Sequence, residues 1–241
     1  MPSEPVTDMA PDLSPLAAIR RDFVRVSPQV VARAATFAAS ILADVAGRRG
    51  TLDGRITPLT RATRLCGPAI TIEVRPGDNL MIHAAMAIAR PGDILVIDGK
   101  ADTTCALMGA IMITACKALG LGGVVLDGAH RDTEELLALG FPVYSVGSNP
   151  NGPTKNIPGR INWPVSCGGV AVNAGDLIVG DADGVVVVER EQAEALLPLA
   201  ARKVAEERTR IAEILSATNI RPKWLDGALR TAGVLREGEE L

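Results

Sequence analysis

The sequence predicts an α/β fold, and three observations carry that expectation. Short apolar β-branched runs alternate with helical patterns from residue 65 to 146, the signature of a mainly parallel sheet with helical crossovers. From residue 169 the pattern changes to short strands separated by tight turns, Asn173-Ala174-Gly175 and Asp181-Ala182-Asp183-Gly184, which reads as antiparallel. Aromatic residues make up only 2% of the chain, so the core must be built from Ala, Val, Ile and Leu, as α/β packing allows.

The elements follow in order. Residues 1–14 are Pro-rich and acidic and are expected to be disordered; residues 15–241 are expected to form one domain with C-terminal helices. Ser27-Pro28 is a helix entry, with serine as N-cap and proline at the first helical position. Val30, Ala34, Phe37, Ala38, Ile41 and Val45 then recur at helical spacing, predicting one helix that Gly47 ends. Leu65 to Val74 reads as a strand, and Asp78 can cap a helix through Met81, Ile82, Ala85 and Ile88. Ile94 to Ile97 is the next strand, with Asp98, Gly99, Lys100, Ala101 and Asp102 just past its end. A helix over 108–119 leads to the central strand, 123–127, which Gly128 is expected to end. A short helix follows Arg131, and Phe141 to Val146 is another strand. Residues 147–168 form a long Gly-, Pro- and Asn-rich loop of the kind that lines a site or an interface. Glu189 to about Ala217 is one long helix with Ala195, Leu196, Leu199, Ala200, Val204 and Ile211 inward, and Trp224 to Leu235 is a final short one.

Composition excludes several classes of function. The formal net charge is −3 and no basic block is present, which gives no footprint for nucleic acid. No apolar run is long enough to span a bilayer, so no membrane partner is expected. Cys66, Cys105, Cys116 and Cys167 form no CxxC pair, which argues against a zinc site or a disulfide framework. Free thiols and the lack of a signal core in residues 1–12 point to the cytoplasm.

The chemistry concentrates after the central strand. Arg131 and Asp132 lie just beyond it, at the carboxyl end of a sheet where open α/β folds hold ligands. Spacing alone leaves a second reading open, in which both are surface residues and Asp132 merely suits a helix start.

Five motifs in order decide between the two. They are Gly67-Pro68-Ala69-Ile70-Thr71, Asp78-Asn79-Leu80-Met81-Ile82-His83, Pro91-Gly92-Asp93-Ile94-Leu95-Val96, Gly128-Ala129-His130-Arg131-Asp132-Thr133-Glu134-Glu135, and Gly180-Asp181-Ala182-Asp183-Gly184-Val185. Over residues 28–215 the chain resembles the RraA-like family, which includes 4-hydroxy-4-methyl-2-oxoglutarate / 4-carboxy-4-hydroxy-2-oxoadipate aldolases and the regulator of ribonuclease E activity. The resemblance implies a swivelling β/β/α sandwich that assembles as a trimer or a dimer of trimers, with the site between subunits. It implies a Mg²⁺- or Mn²⁺-dependent aldolase that releases pyruvate from a short oxo-acid, with oxaloacetate decarboxylation as a side activity. A non-catalytic regulatory or binding protein is the second reading, and a lyase or decarboxylase acting on a different oxo-acid, because of Ala110, is a further alternative.

The resemblance also assigns roles. Asp132 matches the metal-binding aspartate, and Arg131 offers a planar fork for a substrate carboxylate. Gly109, Ala110, Ile111 and Met112 match the substrate-binding stretch, where backbone N–H groups at a helix start can bind oxygens. A neighbouring subunit's helix would bring in Glu206 or Glu207; each is equally readable as part of a solvated face near Arg202 and Arg208. One departure matters. The aldolases usually carry an acid at the position of Ala110, where it holds a water, and alanine can do neither that nor act as a base. Asp98, Asp102 and Asp127 are the candidates to compensate. His83 lies near the site or packs as a hydrogen-bonded histidine, the commoner fate. Lys100, past a strand end, could form a Schiff base, the rival aldolase mechanism, though a solvated lysine is the usual case. Asp181 and Asp183 read as turn formers.

Overall fold

The computed structural model describes residues 18–217 and 220–241, so the expected disorder of residues 1–14 lies outside the described residues. The chain divides into two compact units, 1–200 and 201–241. The structural neighbours reported below share this α/β arrangement.

The first unit opens with two short helices, α1 (Pro28–Ala34) and α2 (Ala39–Val45), where the periodicity predicts one. Ser27 caps α1 as expected, its Oγ accepting the Val30 N–H at 3.3 Å. The break at Ala35–Ala38 has a tertiary cause. The Asp181 carboxylate, 142 residues away, accepts the Ala39 N–H at 2.8 Å and so caps a new helix start. Local periodicity cannot register such a partner.

The strands β1 (Thr57–Pro58), β2 (Leu65–Glu73), β3 (Ile94–Met108), β4 (Gly123–His130) and β5 (Val143–Ser148) are interleaved with α3 (Leu80–Met86), α4 (Ala110–Ala118) and α5 (Thr133–Leu139). Four strands run parallel in the order β5-β4-β3-β2. Antiparallel additions flank them: β1 on β5, β6 (Arg160–Ile161) on the second half of β2, and β9 (Leu177–Asp181) on its first half, followed by β10 (Gly184–Val188). A separate hairpin joins β7 (Val165–Cys167) to β8 (Val170–Val172).

Strand pleating divides the core into two layers. Leu95, Ile97, Val124 and Leu126 face the helices and pack with Ile82, Ile113, Cys116 and Leu136. Their alternating neighbours Ile94, Val96 and Val125 face the other side, against Tyr144, Ile178 and Val185. Both faces are covered, which is why these strands read as continuous apolar runs rather than alternating ones.

Two strands are longer than expected. β4 passes through Gly128 to His130, because Ala129 and His130 pair with Gly147 and Ser148 of β5. β3 does not stop at Ile97; Asp98 still pairs with Glu73 of β2, the pairing with β4 then becomes irregular in an excursion touching at Asp102 and Gly128, and it resumes with Ala106 on Ala129 and Met108 on His130. Lys100 and Ala101 absorb the excursion in left-handed backbone conformations (φ 61° and 57°). The following helix therefore starts at Ala110, not at 108.

The long helix α6 (Arg190–Leu215) forms as expected, but its buried positions are Ala193, Leu197 and Ala200. Ala195, Leu199 and Ile211 are exposed, so the inward stripe is rotated from the predicted one. In the second unit α7 (Leu225–Thr231) is the expected short helix. No helix among the described residues is long and apolar enough to cross a membrane.

Candidate functional site

A cavity of about 120 Å³ opens at the carboxyl ends of β3 and β4, bounded by α3, the start of α4, the β4–α5 turn and the loop after β5. Of the residues the sequence singles out, Arg131, Asp132, Gly109, Ile111, Met112 and His83 line it, and Ala110 does not. Asn79, Pro153, Lys155 and the Ala106–Met108 end of β3 complete it.

Asp132 precedes α5 in a left-handed conformation (φ 59°, ψ 45°), which aspartate tolerates better than most residues. Its carboxylate does not cap its own helix. Instead Oδ2 accepts the Ala110 N–H at 2.9 Å and lies 3.6 Å from Arg131 Nε. Anion and cation are thus fixed together against the N-terminus of α4, where a carboxylate suits the helix dipole. Asp132 Oδ1 has no partner among the described residues. The first-turn N–H groups of Ile111 and Met112 have no intrahelical acceptor, and the Ile111 side chain beside them is 84% exposed.

Glycines approach Arg131 closely on both sides. A Cβ on Gly109 would sit 2.4 Å from Asp132 Oδ2 and 2.9 Å from Arg131 Cγ; one on Gly152 would sit 2.8 Å from Arg131 Nη1. The Arg131 N–H is held by the Met108 carbonyl at 2.9 Å. His130 points away from the cavity, its ring buried between Ser145 Oγ (2.8 Å) and Thr133 Oγ1 (3.1 Å). Burial holds its pKa below the ordinary histidine value, against the opposing pull of a backbone contact at Gly147.

The loop after β5 is anchored rather than loose. Asn149 and Asn151 donate to the Thr103 and Thr104 carbonyls, and the Ala106 N–H donates to the Asn151 carbonyl. Further on, the buried Asp78 carboxylate accepts from Thr154 Oγ1 (2.6 Å), Asn156 N (2.7 Å) and Ile157 N (3.2 Å), and from Leu80 N (3.0 Å) on its other oxygen. Burial alone would raise the Asp78 carboxyl; these bonds outweigh it and hold it below the ordinary value. Lys155, within the latched segment, lines the cavity with no carboxylate partner among the described residues.

Two polar cavity residues, Asn79 and Lys155, were not individually singled out from sequence. They stand in stretches that are prominent, the Asp78-Asn79 motif and the Gly/Pro-rich loop, but neither has a spacing that marks it. Asn79 is buried; its Nδ2 donates to the Leu107 carbonyl (2.9 Å), which fixes the amide orientation and leaves Oδ1 without a protein donor. A buried acceptor in that state costs roughly 1–3 kcal/mol until something donates to it.

Other expectations change. His83 is not a packing histidine: it is exposed, lines the cavity, and its ring has no hydrogen-bond partner among the described residues. None of Asp98, Asp102 and Asp127 lines the cavity. Asp98 is paired with Lys100, and Asp102 accepts from Thr104 within the β3 excursion. Asp127 is held by Arg55 at 3.0 Å and by Gly168 N at 2.8 Å. Lys100 is likewise outside the cavity, which removes it as a Schiff-base candidate there. Glu206 and Glu207 lie in the second unit, 3.8 Å from Arg202 and 3.4 Å from Lys203 respectively. Asp181 Oδ1 accepts the Asp183 N–H at 3.0 Å, a turn contact. All four cysteines are free thiols.

Among the described residues no group of three or more His, Cys, Asp or Glu side chains is placed to hold a metal ion. The cavity offers one free carboxylate oxygen, Asp132 Oδ1. That donor set is too small for a closed protein cage, and it fits a hard cation that keeps most of its waters.

The sheet and the cavity at its strand ends thus define an open α/β protein with a candidate ligand site that pairs a cation with a carboxylate. Comparison with known proteins makes this specific. The model of the RraA-like family, described as Aldolase/RraA, matches residues 29–187. A Halalkalibacterium halodurans protein named "Putative 4-hydroxy-4-methyl-2-oxoglutarate aldolase" is 45% identical over 159 residues, 66% of this chain and 76% of the relative. A Burkholderia multivorans protein of the same name is 33% identical over 158 residues, 63% of this chain and 96% of the relative. The crystal structure of Streptomyces coelicolor RraAS2, described as an unusual member of the RNase ES inhibitor RraA family, superposes with a TM-score of 0.72 at 26% identity, covering 78% of this chain and 99% of that one. The chain belongs to the RraA-like family.

Proposed function

We propose that the chain is a divalent-metal-dependent carbon–carbon lyase that cleaves a short 4-hydroxy-2-oxo acid and releases pyruvate, with oxaloacetate decarboxylation as a side activity. One observation carries this reading. The free oxygen of Asp132, the Arg131 fork and the open N–H groups of Ile111 and Met112 converge on one small cavity.

Asp132 Oδ1 would hold Mg²⁺ or Mn²⁺. When bound, such a cation acts as a Lewis acid on a keto oxygen and offsets the negative charge that develops as the carbon–carbon bond breaks. The chain's own groups bind and orient. Arg131 grips the 2-oxo acid end, with the α4 N–H groups binding the same carboxylate. Lys155 supplies a cation for a second carboxylate, which suits a diacid. The site is completed in a homotrimer or a dimer of trimers in the cytoplasm, where Glu206 or Glu207 of a neighbouring copy reaches it.

A non-catalytic binding role is the second reading, and Ala110 favours it, since the usual acid is missing at the start of α4. The deciding experiment measures pyruvate release from 4-hydroxy-4-methyl-2-oxoglutarate and from oxaloacetate with Mg²⁺ or Mn²⁺, and with excess chelator. Chelator-sensitive release that Arg131→Ala removes supports the lyase. No release with either metal supports the binding role.

A further inference from the structure

Retro-aldol cleavage needs a group that takes the proton of the substrate hydroxyl, and Ala110 cannot supply one. The cavity itself narrows the choice. An arginine stays protonated in proteins and a lysine ammonium has a proton to give but none to take. Asp132 Oδ2 is committed to the Ala110 N–H and Arg131, and Oδ1 is the oxygen assigned above to the cation. The neighbouring acids Asp98, Asp102 and Asp127 do not line the cavity and have partners of their own. His83 remains. It stands one helical turn beyond Asn79 on α3, so the two side chains share a face, and both line the cavity. Its ring is exposed and has no hydrogen-bond partner among the described residues. Imidazole is the side chain that both accepts and donates a proton near neutral pH.

We infer that His83 is the proton shuttle of this site, taking over the task of the acid that Ala110 replaces. The inference rests on the lyase reading above. The step balances without any other reactant. An imidazole nitrogen takes the hydroxyl proton, and the O–H electron pair becomes the second bond of the departing carbonyl. The pair of the breaking carbon–carbon bond passes into the enolate of pyruvate. The imidazolium then returns the same proton to the enolate carbon, which becomes the methyl group.

Pyruvate itself is the probe. In D₂O with Mg²⁺, the wild-type chain should exchange the methyl protons of pyruvate for deuterium, read by proton NMR, and His83→Gln should slow this by about 10²-fold. His83 is exposed, so the variant should fold, which circular dichroism checks. A second readout needs no metal and no turnover. The chain has two histidines, and the other, His130, is buried. Adding pyruvate should shift the ring resonances of His83 and leave those of His130 in place. Exchange in His83→Gln at the wild-type rate overturns the shuttle and leaves the lyase standing, as does a His83 resonance unmoved by saturating pyruvate. No exchange by the wild type with Mg²⁺ or Mn²⁺ overturns the lyase reading and the shuttle with it.

Discussion

Two sets of polar residues lie at the carboxyl ends of β3 and β4, and they differ in how completely they are satisfied. On one side of the strands, Asp98 and Asp127 are buried and closed: Lys100 saturates the first, Arg55 and the Gly168 N–H the second. On the other side, the cavity keeps open valences. Asn79 Oδ1 has no hydrogen-bond partner among the described residues, and Asp132 Oδ1, the Lys155 ammonium, the His83 ring and two helix N–H groups are given none there either. Strand position is the same and residue types overlap. What separates scaffold from site is whether the bonding capacity is spent. A carboxylate that is fully spoken for holds the fold; one with a free oxygen is available to a ligand.

That contrast can be broken by experiment. The largest effect is expected at Asp132→Ala, which should cut pyruvate release by about 10²-fold or more while leaving the far-ultraviolet circular dichroism unchanged. Full retained activity would remove Asp132 as the metal ligand. Asp127→Asn should do the reverse. It unbalances the bonds to Arg55 and Gly168 and should lower stability by ~1–3 kcal/mol, a Tm drop of roughly 2–12 °C for a chain of this size, with KM for the oxo-acid unchanged. A raised KM would mean the closed cluster is not mere scaffold.

Acid should loosen the loop next. The folded Asp78 carboxyl lies below the ordinary value, so the unfolded chain takes up its proton first as pH falls. Its stabilisation is present above about pH 4 and is lost as pH drops through the folded value. Hydrogen exchange at Asn156 and Ile157 should rise in that window, and Asp78→Asn should show the faster exchange at neutral pH. The smallest effect is expected at Glu206→Gln and Glu207→Gln. Their exposed i,i+4 pairs contribute about 0.5 kcal/mol or less, so urea midpoints should scarcely move. A fall in activity without a fall in stability would mark the one that reaches a neighbouring site.

Much of this was legible in the chain, for physical reasons. The strand and helix alternation from Leu65 to Val146 is local, and so is the Ser27 cap. Arg131, Asp132 and the α4 entry came from motif order, and they do meet in one cavity. The failures are all tertiary. The split between α1 and α2 depends on a carboxylate 142 residues away. The length of β3 depends on pairing resumed after an excursion. The buried stripe of α6 is one of two phases that both satisfy helical spacing. His83 faces open space rather than core because of where α3 sits on the sheet, which no single helix pattern encodes.

The two bare backbones that flank Arg131 have a further consequence, for how this chain can evolve. Gly109 is close to both Arg131 and Asp132, and Gly152 meets the tip of the same guanidinium 43 positions later. Alanine at 152 pushes on the flexible end of a side chain and would redirect it with little cost to folding. Alanine at 109 presses on the root of that arginine and on the carboxylate, and both would have to yield. The fitness effects of these three distant positions are therefore epistatic. A shorter side chain at 131 should ease alanine at 152 further, whereas alanine at 109 still meets the Asp132 carboxylate, so a lineage that loses this arginine is released from one glycine and not from the other.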